Sequence, residues 1–292
     1  MKLIRTGPAG RETPAVLLDE GRAVAVGELL DDYTPRWLAE DGLQRLAEEL
    51  PGRLDRLPSF DPSTTRLGPP LARPGKIVCV GLNYREHAKE AGAEIPAEPI
   101  LFMKAPDTVV GPDDVVLIPP GSEATDYEVE LAVVIGRTAR YLADDADPLA
   151  HVAGYAISDD VSERVFQMER GGQWDKGKNC ETFNPLGPWL VTADEVPEPQ
   201  ALDLRLAVNG EVRQDSSTSD MIFPVAELVR YISQFMPLYP GDIINTGTPQ
   251  GVGAGFDPPR FVRPGDEVTV AISGLGAQRG RFERALVEGD ER

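Results

Sequence analysis

The stretch with the most chemistry in it is Asp126-Tyr-Glu-Val-Glu-Leu-Ala-Val-Val-Ile-Gly136. Val129, Leu131, Val133 and Ile135 alternate along it and β-branched residues dominate, which predicts a strand running from Glu128. In that register Glu128 and Glu130 share a face, with Cα atoms roughly 6.5 Å apart at ~3.3 Å rise per residue. Two carboxylates on an otherwise apolar strand are costly unless a cation neutralises them. Hard oxygen donors of this kind suit Mg2+, Mn2+ or Ca2+. An ordinary half-exposed strand with a solvated glutamate face shows the same alternation. Asp160 offers a third carboxylate, where a strand end at 155–158 runs into a short predicted helix at 161–169. With Glu163 three residues on, it also has the form of a helix cap, and spacing leaves both readings open.

A second group lies in Asn83-Tyr-Arg-Glu-His-Ala-Lys-Glu90. Asn83 and Glu86 predict a capped helix start, which sets His87 and Glu90 one turn apart on one face. A carboxylate–imidazole pair of that geometry can activate a water, although a plain surface helix accounts for it too. The other histidine, His151, has no partner in view. Between Gly171 and Pro188 a Gly-rich segment carries Lys176 and Lys178, as an ordinary surface loop or as a loop bringing a cation to an anionic substrate. In Thr246-Gly-Thr-Pro-Gln-Gly-Val-Gly253, the glycines Gly247, Gly251 and Gly253 let backbone N–H groups converge on an anion, with Thr246 and Thr248 adding hydroxyls. A tight turn explains this too, and the Walker pattern is absent, which disfavours nucleotide phosphate.

These groups need a scaffold. An apolar run at 76–81 reads as a buried strand, and 203–208 as another that turns at Asn209-Gly210. Val225, Leu228, Val229, Ile232, Phe235 and Met236 mark an amphipathic helix ending before Pro237. Residues 1–70 read as a small unit of short strands and one helix through Leu43, Leu46, Ala47 and Leu50. A proline-rich stretch at 58–74 joins it to the larger unit, 71–292. The net charge of −19 argues against nucleic acid and anionic membranes, which need a basic footprint. Cys79 and Cys180 are the only cysteines, no apolar run approaches ~18 residues, and the start lacks a signal-like core. The expectation is a cytoplasmic protein.

Taken in order, Glu128-x-Glu130, Asp160-Val-Ser162, Gln167, Lys178, Pro185-Leu-Gly-Pro188 and Thr246-Gly-Thr-Pro-x-Gly-Val-Gly253 resemble the motif set of the fumarylacetoacetate hydrolase family, over residues 76–285. The N-terminal opening and Glu169-Arg-Gly-Gly-x-Trp-Asp-Lys-Gly-Lys178 look most like its 2,4-diketo-3-deoxy-L-fuconate and L-rhamnonate hydrolase branch. The resemblance implies a mixed α/β, β-rich fold: a mixed β-sandwich roll with a small N-terminal α/β domain, assembled as a homodimer. It implies Mg2+, with Mn2+ or Ca2+ as alternatives, on Glu128, Glu130 and Asp160. His87 and Glu90 correspond to a water-activating dyad on a mobile lid, with Lys178 as a third catalytic group. Gln167, Arg164, Gly247 and Thr248 correspond to substrate-binding positions. Asp159 departs from the pattern, since many members carry Asn there. The implied reaction is hydrolysis of a 2,4-dioxo acid to pyruvate and a second acid. A sugar-derived tail would need hydroxyl partners, for which Gln173 and Gln250 are candidates. Oxaloacetate decarboxylation, keto–enol isomerisation and a non-catalytic metal-binding dimer are the other readings.

Overall fold

Val129–Ile135 forms a strand within a twelve-stranded mixed sheet in the computed structural model, which describes residues 1–287. All seven of its residues are buried, so the glutamates do not lie on a solvated face. It runs antiparallel to Val152–Asp159, with Glu130 opposite Ser158 and Val129 opposite Asp159. On its other edge lies Ile243–Asn245, which in turn pairs parallel with Ile77–Gly81. This pairing assembles the site, because one strand ends at Asp159, with Asp160 next in the chain, beside the start of the strand that Glu128 precedes and that carries Glu130.

The alternation has a clear structural consequence. Val129, Leu131, Val133 and Ile135 point into a core shared with Leu204, Leu206, Val270 and Phe282 of a second, five-stranded sheet, and with Leu228 and Ile232 of helix Val225–Phe235. Ala132 and Val134 point the other way, into a core built with Trp37, Leu46 and Ile243. Each fully buried aliphatic side chain of this set contributes about 1.5–3 kcal/mol relative to an exposed one. The β-rich, mixed α/β architecture expected from the sequence is the one observed.

The first seventy residues share the large sheet. Lys2–Thr6 pairs with Asn184–Thr192 and with Thr13–Asp19, while helices Pro35–Ala39 and Gly42–Glu49 lie over the sheet face carrying Ala132 and Val134. The proline-rich stretch holds two short strands, Ser59–Phe60 and Leu67–Gly68, that pair back onto this region. Arg66 adds a two-pronged ion pair to Asp114.

One local expectation is corrected, and one open reading is decided. Asn83 does not cap the helix Arg85–Glu90, whose N-cap is Tyr84. Its side chain donates to Phe223 O and Thr246 O and accepts from Phe223 N–H, because a buried amide gains more from three backbone partners than from one exposed helix end. Asp160 is likewise not a cap. Helix Arg164–Met168 begins after Glu163, whose Oε2 accepts from Phe166 N–H at 2.6 Å. That frees Asp160 for the site.

Candidate active site

Glu128, Glu130 and Asp160 converge, each offering an oxygen within 4.8 Å of the others, and all three are buried. Glu128 lies one residue before its strand. There its carbonyl still accepts the cross-strand bond from Asp160 N–H at 2.9 Å, while two side chains take the neighbouring N–H groups. Glu128 N–H donates to Asp159 Oδ1 at 2.9 Å, and Val129 N–H to Gln214 Oε1 at 2.9 Å. This turns Glu128 inward beside Glu130.

Cations from three other segments surround the acids. Lys178 Nζ lies 2.7 Å from Glu128 Oε2 and 2.8 Å from Asp160 Oδ2. Lys104, fully buried, pairs with Asp160 Oδ1 and donates to Val161 O. Arg164 spans Glu128 and Asp126, each at 2.8 Å. Burial disfavours charge on Glu128, but Lys178 and Arg164 override it and hold the carboxyl down at about 2. Glu130 differs. Its one hydrogen bond comes from Gly247 N–H at 2.8 Å, and among the described residues no ion pair reaches it. Burial, then Asp160 and Glu128, push its pKa well up. An all-oxygen set with one buried carboxylate lacking a cation fits a divalent ion of the hard class.

The dyad sits across the same cavity. His87 Nδ1 and Glu90 Oε2 are 3.0 Å apart, and Glu90 Oε1 accepts from Gly251 N–H at 2.9 Å. Gly251 adopts φ +98°, which an L side chain rarely tolerates, so the glycine loop serves here to aim an N–H at a carboxylate. Both dyad side chains are mostly shielded, at 14% and 19% exposure. A cavity of about 460 Å3 is lined by His87, Glu90, Glu128, Glu130 and Lys178, among others. An imidazole–carboxylate pair, two of the three clustered carboxylates and an ammonium thus face one space.

Residues 76–283 match the family model for the C-terminal region of fumarylacetoacetate (FAA) hydrolase. The chain belongs to the fumarylacetoacetate hydrolase family. A Burkholderia ambifaria protein named only as a hydrolase is 50% identical over 279 residues, covering 95% of this chain and 97% of its own. The crystal structure of maleylpyruvate hydrolase from Sphingobium sp. SYK-6, in complex with manganese (II) ion and pyruvate, is 29% identical with a TM-score of 0.81, covering 98% of this chain and 100% of that one. That of 2-hydroxyhepta-2,4-diene-1,7-dioate isomerase from Mycobacterium marinum is 31% identical with a TM-score of 0.75, covering 99% and 100%. None of these three names includes a sugar acid.

Within this fumarylacetoacetate hydrolase family member, the remaining expected residues are distributed unevenly. Arg164, Gln167 and Thr248 line the cavity, whereas Gly247 reaches it through the N–H given to Glu130. Gln167 Oε1 accepts from Arg164 at 3.0 Å, and Thr248 Oγ1 accepts from Gln214 at 2.8 Å. Gln173 is exposed and Gln250 Nε2 turns toward Asp215 O, so neither expected tail partner lines the cavity. Lys104, Asp126 and Gln214 were not found from the sequence. Asp126 accepts from Gly253 and Ala254 N–H as well as from Arg164, tying the glycine loop to the acid cluster. The available signal for Lys104 was a lysine closing the apolar run Ile100–Lys104 in register with its buried face.

Proposed function

We propose that this protein hydrolyses the C–C bond of a 2,4-dioxo acid, releasing pyruvate and a second carboxylic acid. The observation that carries this reading is the His87–Glu90 pair sharing one cavity with Glu128 and Glu130, whose carboxylates converge with that of Asp160. The three acids would hold a divalent cation; Mg2+ is the proposed ion, and Mn2+ or Ca2+ takes the same donors. When bound, such an ion polarises the substrate's carboxylate and 2-keto oxygens as a Lewis acid. Glu90, oriented by Gly251 N–H and by His87, takes a proton from a water, and the hydroxide adds to C4. The C3–C4 bond then breaks with its electron pair left on C3. The dyad returns the proton there, so C4 leaves as the acid and the other half as pyruvate. Lys178 presents an ammonium to the negative charge that develops on the pyruvate half. Arg164, Gln167, Gly247 and Thr248 are the proposed substrate contacts.

Residues 169–178 make a 2,4-diketo-3-deoxy sugar acid one substrate to test. We further take the enzyme to be a cytoplasmic homodimer in which residues 1–70 serve packing and residues 71–292 serve chemistry. Among the described residues no helix is long and apolar enough to cross a membrane. The isomerase name of the Mycobacterium marinum relative supports a second reading, in which the same dyad moves a proton without adding water. Incubation with acylpyruvates, oxaloacetate and 2,4-diketo sugar acids decides between them. Pyruvate with an equimolar second acid is expected. Isomerised substrate with no new acid supports the isomerase, and pyruvate from oxaloacetate alone means decarboxylation.

A further inference from the structure

The cavity changes character one side chain away from the acid cluster. Lys178 Nζ lies 5.1 Å from the Phe102 ring centroid, and Phe102 meets Trp174 edge-on at 5.7 Å. Val80, Leu82, Met168 and Val252 extend the lining. Trp174 reaches this wall because residue 81 is glycine: a Cβ there would stand 2.5 Å from the indole ring. Several polar atoms of the lining are already engaged. Arg164 is held by Asp126 and Glu128, and Lys178 by Glu128 and Asp160. Gln167 is bonded to Arg164, Thr248 to Gln214, and Glu90 to both His87 and Gly251.

We infer that the part of the substrate beyond C4 is an apolar, uncharged acyl tail, and that Phe102 and Trp174 form the subsite that selects it. This rests on the 2,4-dioxo acid reading and narrows it, and it departs from the hydroxylated tail expected from the sequence. A hydroxyl set against these rings gives up water without gaining a partner on them, and Gln173 and Gln250, the partners expected from the sequence, do not line the cavity. A carboxylate at the far end of the tail loses hydration and meets no unpaired cation among the lining residues. An alkyl or aryl tail meets neither penalty and gains roughly tenfold or more in discrimination per methylene buried.

The test is calorimetric binding to Mn2+-loaded protein carrying Glu90→Gln, which leaves the ligands unconsumed. Three 2,4-dioxo acids of equal chain length are compared, with an alkyl, a hydroxylated and a terminally carboxylated tail. The alkyl ligand is expected to bind at least tenfold tighter than either other. Adding Trp174→Ala should remove most of that margin and Trp174→Phe should retain it, while oxalate, which engages only the acid end, changes less than twofold. Equal or reversed affinities overturn the inference, as does an alanine variant that weakens oxalate and the alkyl ligand alike. Failure of all three to bind overturns it together with the 2,4-dioxo acid reading. The parent protein is then given the preferred ligand. Selective binding without release of pyruvate refutes the hydrolase and leaves the subsite standing.

Discussion

Replacing Lys178 by methionine separates the two roles that its position suggests. The ammonium is 2% exposed and touches two buried carboxylates, Glu128 at 2.7 Å and Asp160 at 2.8 Å. Each contact is an attraction of ~6 kcal/mol at an effective dielectric near 20, most of it offset by the cost of desolvating both charges. Removing one partner of a buried pair typically costs about 3–5 kcal/mol. Here Glu128 keeps Arg164 and Asp160 keeps Lys104, so the lower end applies. At roughly 2 °C per kcal/mol for a chain of this size, Lys178→Met should lower Tm by about 6 °C in the presence of a chelator. A divalent cation at a hundredfold its Kd stabilises the parent by about 2.7 kcal/mol, or ~5 °C. In the variant no ammonium competes for the same carboxylates, so the metal-induced rise should exceed that of the parent, while turnover falls. Calorimetric scans of both proteins, with chelator and with Mn2+, read all of this. A variant whose Tm in chelator equals the parent's would show that the ion pairs contribute nothing. A metal-induced rise no larger than the parent's would refute competition at the acid cluster.

Three further outcomes are expected. Glu130→Ala should abolish divalent-cation uptake, because an open site has few protein ligands to spare, and stoichiometric metal by elemental analysis would sink the assignment. His87→Ala should reduce turnover by about 10²–10⁴ with metal content unchanged, and parent-level activity would mark the helix as a surface element. Asp159 gives a pH signature: burial pushes its carboxyl up to about 7, against the hydrogen bond from Glu128 N–H. A buried acid raised in this way contributes stability that is present at low pH and lost as pH climbs from the ordinary aspartate range through about 7. Asp159→Asn keeps an acceptor for Glu128 N–H without the ionisation. Its Tm should therefore gain on the parent's across that window, and a constant difference from pH 4 to 8 would contradict the account.

What could be read from the sequence, and what could not, follows the distance over which each side chain finds its partners. The glutamate strand and the amphipathic helix were legible because their signals repeat within one element, and His87 and Glu90 because they stand one turn apart. Asp160 could be joined to Glu128 and Glu130 only through the family motif order, since the link is a strand register that no local spacing encodes. The cations around the acids had weaker signals. Lys104, Arg164 and Lys178 come from a strand end, a helix start and a four-residue helix; Arg164 and Lys178 alone look like solvent-facing charges, and only its register with a buried strand face sets Lys104 apart. Lys178 reads as a loop cation reaching outward, yet it lies inside the cluster that it was expected to face. Asn83 misled for the opposite reason: a cap three residues from Glu86 was in plain view, whereas its actual partner, Phe223, is 140 residues away. Gln214 is the sharpest case, reaching 85 residues back to Val129 N–H and 34 forward to Thr248. A buried polar side chain takes whichever partners the fold brings within 3 Å, and local capacity for a cap or a pair counts only where that position stays wet. The sequence therefore exposes the acids, whose excess on an apolar strand needs an explanation, but not which carboxylate each cation neutralises.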